Sequence, residues 1–158
     1  PPDDHRRNPR GAAKGTVRFM IVFIDTNIVL DVMLANADFY DESNAVLSCC
    51  TEGYDFYISA ASCTDIYYIT KRTLRDTERT KQVMKNLLTA VSVAGVDETC
   101  IRNALESDWS DFEDSVQHED AQQIKADIIV TRNQSDYAHS SVRVMTPDEF
   151  LEFVKTER

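Results

Sequence analysis

The feature that most constrains this chain is the stretch Met20-Ile21-Val22-Phe23-Ile24-Asp25-Thr26-Asn27. An unbroken apolar run stops at a carboxylate. A short continuous apolar run reads as a strand buried on both faces, as in a parallel sheet. In open α/β sheets, ligands bind in the crevice beyond the carboxyl ends of the strands. Asp25 therefore falls where such a fold does its chemistry.

The rest of the chain repeats the theme. Asp55-Phe56-Tyr57-Ile58-Ser59, Val91 to Val96, Asp127-Ile128-Ile129-Val130-Thr131 and Arg143-Val144-Met145 read as further short strands. Helical periodicity separates them. Thr26 or Asn27 is expected to cap a helix carrying Ile28, Leu30, Val32 and Met33. A second helix is expected from about Asp38 to Thr51, with Gly53 ending it. Others follow over about 60–74, from an Asp76 cap to Ala90, after an Asp97 cap, and within the acidic run 108–120. Pro147 opens the last one, with Phe150, Leu151 and Val154 on its inner face. Strands alternating with helices mean an α/β sandwich with a mainly parallel sheet of about five strands.

At 158 residues the chain suits one domain with a sizeable core. Residues 1–19 lack periodicity and are rich in Pro, Gly, Arg and Asp. They read as a vector-derived or other non-domain leader, with a single domain over 20–158. The alternative for the leader is a basic arm that touches nucleic acid or a partner. The net charge of −10 argues against a broadly cationic nucleic-acid-binding surface. It leaves room for a protein that reaches phosphates through bound cations, and it suits a basic partner chain. Cys49, Cys50, Cys63 and Cys100 form no zinc spacing with one another or with His5, His118 and His139. Buried thiols in a reducing, cytoplasmic setting fit that pattern, and no run is long and apolar enough to span a membrane.

Chain order then places acidic residues near the carboxyl ends of strands. Asp25 ends the first. Asp65 lies one to two turns into the helix after the second. Asp111 and Asp114 are spaced i, i+3 on the acidic helix, and Asp136 follows Thr131 in the loop beyond the fourth strand. Right-handed crossovers keep strand ends on one edge of a parallel sheet, so these carboxylates would crowd. Crowded like charges raise one another's pKa unless a cation neutralises them. Mg²⁺ or Mn²⁺, hard cations with oxygen ligands, are the natural remedy, and they serve phosphodiester hydrolysis. Taken singly each residue has a plainer role: Asp25 a helix cap, Asp65 a solvated helix residue, Asp111 and Asp114 part of a solvated charged face, Asp136 turn chemistry. The ordered set carries the argument.

At these residues the chain resembles the PIN-domain family of metal-dependent nucleases, which includes the VapC-type toxins of toxin–antitoxin pairs. Ile24-Asp25-Thr26-Asn27 resembles the first motif. Ile58-Ser59 followed by Asp65 resembles the second, where the family usually has Glu. Asp111-Phe112-Glu113-Asp114 before Ala121 resembles the third, and Ile129-Val130-Thr131-Arg132-Asn133 through Asp136-Tyr137 the closing strand and loop. The resemblance implies a three-layer α/β/α fold, a ribonuclease using Mg²⁺ or Mn²⁺, frequent homodimers, and an antitoxin that covers the site in toxin members. Asp25, Asp114 and Asp136 would hold the metal, Asp65 and Asp111 would complete the set, and Thr26, Asn27, Thr131 and Asn133 would orient ligands, water or the scissile phosphate.

Aspartate at position 65 is one methylene shorter than the family's glutamate. That departure supports a second reading, a degenerate PIN domain that binds RNA or protein without cutting. A third class fits worse. A haloacid-dehalogenase-type phosphatase needs an Asp where this chain has Asn27, and a receiver domain needs a Lys after a late strand, whereas Lys125 precedes the fourth. Substrate contacts are sparsely marked. Lys71, Arg72, Arg75, Arg79 and Lys81 form the densest basic segment, which reads as an RNA-backbone contact or as a solvated helix face, and Tyr67 and Tyr68 have rings suited to stacking on a base or to core packing.

Overall fold

The structure, a computed structural model, describes residues 18–51 and 53–157. Residues 1–17, most of the expected leader, lie outside them. Of the leader's last two positions, Arg18 pairs with Asp127 at 2.8 Å.

Five strands form one sheet in the order β3-β2-β1-β4-β5: β1 (Met20–Ile24), β2 (Tyr54–Ser59), β3 (Ser92–Ala94), β4 (Ile128–Val130) and β5 (Arg143–Met145). Every neighbouring pair is parallel. The helices are α1 (Thr26–Met33), α2 (Tyr40–Ser48), α3 (Ala60–Leu74), α4 (Thr77–Ala90), α5 (Glu98–Glu106), α6 (Phe112–Gln123) and α7 (Pro147–Thr156).

The period of two along a strand divides the apolar runs between two cores. Val22, Ile24, Ile128 and Val130 face a larger core with Phe56, Ile58, Ile66 and Phe150. Phe23 and Ile129 face the other way, into a smaller core with Ala94, Ala121 and Tyr137. Residues of α1, α2, α3, α4 and α7 fill the first core and residues of α6 the second. That is the three-layer α/β/α sandwich. The central strand β1 has to be apolar on both faces, which is why its run does not alternate.

The elements differ from expectation mainly at their ends. Asp25, not Thr26 or Asn27, is the N-cap of α1. Thr26 is instead buried, with its hydroxyl turned towards Glu113 and Gln117. The second helix is shorter than expected and runs on as a 3-10 turn over Cys49–Thr51; Gly53, at φ 98°, leads into β2. α6 begins at Phe112, with Asp111 as its cap, accepting from the Asp114 N–H at 3.0 Å. Cys49 and Cys100 are buried, Cys50 and Cys63 half-buried, and all four are free thiols. Among the described residues no helix is long and apolar enough to cross a membrane.

Candidate active site

Beyond the carboxyl ends of β1, β2 and β4 lies a cleft of about 320 Å³. Asp25, Asp65, Asp111, Asp114 and Asp136 all line it, together with Thr26, Asn27 and Asn133. Residues spread over 112 positions of the chain therefore meet because parallel crossovers return each strand to the same edge.

Each acid arrives by a different route. Asp25 follows β1 directly, and its N–H donates to the Val130 carbonyl at 3.0 Å, extending the β1–β4 ladder by one residue. Asp65 stands on α3, where it is exposed. Asp111 and Asp114 come from the first turn of α6. Asp136 sits in a 3-10 turn over Gln134–Tyr137, and its N–H donates to the Asn133 carbonyl at 3.0 Å.

Thr131 does not line the cleft. It is fully buried beneath it, where its hydroxyl donates to Asp25 Oδ2 at 2.7 Å and accepts from the Asn133 N–H at 3.1 Å. One side chain thus fixes the buried carboxylate and the start of the loop that carries Asp136.

Two polar residues that line the cleft are not among the sequence candidates. Glu113 and Gln117 also face the cleft. Thr26 Oγ1 donates to Glu113 Oε1 at 3.4 Å or Gln117 Oε1 at 3.3 Å, and Gln117, almost wholly buried, also binds Asp25. In the sequence Glu113 sits in a charge run that reads as a solvated face. The usable signal was spacing: Glu113 and Gln117 are i, i+4, so they share a face of α6.

The electrostatics follow from this crowding. Burial raises the Asp25 carboxyl above its ordinary range, with smaller downward pulls from Thr131, Gln117 and the N–H groups of Asn27 and Thr26. Asp114 is pushed up to about 7, first by burial and then by the charges of Asp25, Asp111, Asp136 and Glu113. Glu113 is raised by burial, then by Asp65, Asp25 and Asp111. No basic side chain lines the cleft among the described residues, so protons or a cation have to offset these acids. The donors are all oxygens, which fits a hard divalent cation and excludes the soft thiolate sites. Among the described residues no three His, Cys, Asp or Glu side chains are gathered closely enough to hold a metal ion between them. The fit is one of donor chemistry and charge.

Deeper still, Tyr137 packs edge-on to Trp109, whose indole stacks on His118 at 4.8 Å. His118 Nε2 accepts from the Ser141 N–H at 3.2 Å, which ties the segment after Asp136 to α6.

A family model for the PIN domain matches residues 21–135. No curated protein matches the chain. Solved structures share the fold. VapBC2 from Rickettsia felis, bound to a DNA fragment from its promoter, is 17% identical, with a TM-score of 0.62 over 80% of this chain and 98% of that one. A toxin–antitoxin complex from Klebsiella pneumoniae is 18% identical, with a TM-score of 0.60 over 80% and 97%. VapC20 of Mycobacterium tuberculosis, a toxin that cleaves the sarcin–ricin loop, is 16% identical, with a TM-score of 0.59 over 77% and 98%.

Proposed function

The chain belongs to the PIN-domain family, and from that premise we propose that it is a divalent-metal-dependent endoribonuclease, the toxin of a toxin–antitoxin pair. The observation that carries this reading is the cleft, where Asp25, Asp65, Asp111, Glu113, Asp114 and Asp136 face one space at the carboxyl edge of the sheet. The likeness in fold to VapC20 and to two toxin–antitoxin complexes supports the toxin setting. RNA would be the substrate, an antitoxin chain a partner, and a second copy of the chain a partner in a homodimer.

Asp25, Asp114 and Asp136 would hold Mg²⁺ or Mn²⁺, with Asp65 and Asp111 completing the set. When bound, the ion supplies positive charge and Lewis acidity for hydrolysis of a phosphodiester. The chain's own groups do the positioning. Thr131 takes up Oδ2 of Asp25, so the carboxylate presents itself in one orientation. Gln117 holds Asp25 from the α6 side while accepting from Thr26. Asn27 and Asn133 stand at the rim of the cleft, where amides can bind a phosphate oxygen or a water. The products would carry 5′-phosphate and 3′-hydroxyl ends.

The test is Asp25→Asn. Cleavage of RNA in Mn²⁺ should vanish with the far-ultraviolet spectrum unchanged, and metal-free stability should stay level or rise because a buried charge has gone. Retained cleavage would remove Asp25 from the machinery.

The second reading is a degenerate domain that binds RNA or protein without cutting. Asp65, exposed and shorter than the family's usual Glu, favours it. Manganese titration separates the two. A loaded site stabilises the fold by about 2.7 kcal/mol at a hundred times Kd, and an inert one leaves the melting curve where it was.

A further inference from the structure

Away from the acid cleft, the densest positive charge among the described residues runs from the end of α3 into α4. Lys71, Arg72, Arg75, Arg79, Lys81 and Lys85 are all exposed there, in a chain whose net charge is −10. Of these six, Lys81 alone has an ion-pair partner among the described residues, Glu78 at 3.2 Å. Unpaired cations gathered on one segment of an acidic protein fit a polyanion, because they concentrate the local positive potential that the rest of the surface opposes.

α3 joins that charge to the cleft. Asp65 and Ile69 line the cleft from this helix. Tyr68 at i+3 and Arg72 at i+7 from Asp65 lie on the same side of the helix. Arg72 is about 10 Å from Asp65 along the axis at 1.5 Å per residue. Arg75 ends the stripe as the left-handed C-cap, φ 54°. Tyr68 is 63% exposed, and Tyr67 holds its ring edge-on at 5.4 Å and 86°. A lone exposed aromatic means little. A fixed, exposed ring one turn from an unpaired guanidinium, beside a cleft built for phosphate chemistry, is the combination that binds unstacked bases and their backbone.

We propose that Tyr68 and Arg72 form an entry subsite for single-stranded RNA, with a base stacked on the Tyr68 ring and a backbone phosphate on the Arg72 guanidinium. Arg75 and the cations of α4 prolong the track away from the cleft. A duplex would bury the base faces that Tyr68 needs, so the subsite selects single strands. The inference rests on the nuclease reading for its choice of RNA and stands apart from it in its test.

The experiment is fluorescence anisotropy of a labelled single-stranded oligoribonucleotide with the full chain in EDTA at several salt concentrations. Tyr68→Ala should weaken binding about five- to a hundredfold, and Tyr68→Phe should restore it. Arg72→Ala should weaken binding and reduce the salt slope by about one phosphate's worth, with Arg72→Lys keeping the slope. Arg102→Ala, on α5 in an ion pair with Glu98, should change nothing. The proposal falls if wild type does not bind, if Tyr68→Ala and Arg72→Ala bind like wild type, or if a duplex of the same sequence binds as tightly. Polyglutamate competing as well as RNA, with no dependence on Tyr68, would make the surface one for acidic polypeptides and also overturns it. RNA that binds with these dependences yet survives Mn²⁺ defeats the nuclease reading and leaves the subsite. RNA cut by Tyr68→Ala with unchanged KM does the reverse.

Discussion

Asp25 and Asp65 line one cleft in different surroundings, the first buried in protein and the second exposed to water. Asp25 is 4% exposed and held by Thr131 and Gln117, so its orientation is set before any cation arrives. Asp65 is exposed on α3, and among the described residues no side chain is seen to bond its carboxylate. Its reach therefore decides how far it can help. Asp65→Glu adds one methylene at a position that α3 already aims along the cleft. Manganese affinity should tighten by about tenfold, the ~1.4 kcal/mol of one improved contact, as read by calorimetry. Unchanged affinity would leave Asp65 outside the metal's neighbourhood. The five acids are legible in the sequence because each falls just after a strand or in the first two turns of a helix. The i, i+4 spacing of Glu113 and Gln117 puts them on one face of α6, but nothing local says that this face meets Thr26, a neighbour 87 and 91 positions away.

The elements that present these side chains are locked to one another by a second, smaller polar cluster. Arg132, next to Thr131, forms an ion pair with Asp31 of α1, Nε to Oδ2 at 2.9 Å, and its guanidinium lies 4.0 Å over the Phe39 ring. Asp31 is 2% exposed and accepts further from Ser43 at 2.9 Å and from Asn36 at 3.1 Å. This cluster fastens the loop of Asn133 and Asp136 to the helix that follows Asp25. Arg132→Met should cost about 2–4 kcal/mol in urea unfolding, because it strands a buried carboxylate. Pairing it with Asp31→Asn should recover most of that loss, which a purely steric effect of Met would not allow. Such a pair spans 101 positions, and nothing local in the sequence points to it. The strands were readable for the opposite reason: a parallel strand buried on both faces is apolar throughout, and β1 and β4 say so in every residue. Helix ends were less so. Asp25 and Thr26 are both good capping residues, and the choice between them depends on whether the Thr26 hydroxyl finds partners on α6.

At the scale of the whole molecule the surplus of acid becomes a proton inventory. Asp114 is raised to about 7 and Asp120, fully buried on α6, to about 6, both chiefly by burial; Glu113 and Asp25 are raised as well. A folded state with raised carboxyls binds more protons than the unfolded chain, so metal-free stability falls as pH rises from about 4 to about 7. His118 acts the other way. Burial lowers its pKa, so its contribution is present above the unfolded value near 6.5 and is lost on acidification. The carboxyls outnumber it, which puts the stability optimum of the metal-free chain below neutrality. A cation binding at Asp114 has to displace the proton there. Manganese binding at pH 6 should therefore release about one proton, and at pH 8.5 almost none. Calorimetry in two buffers of different ionisation enthalpy measures the count. Asp120 separates this from a global effect. It faces Ser59 and Asp97 rather than the cleft, so Asp120→Asn should flatten the pH dependence of stability between about 4 and 6 while leaving proton release intact. If the release at pH 6 disappears with Asp120→Asn, or is absent in the wild type, Asp114 is not where the metal binds.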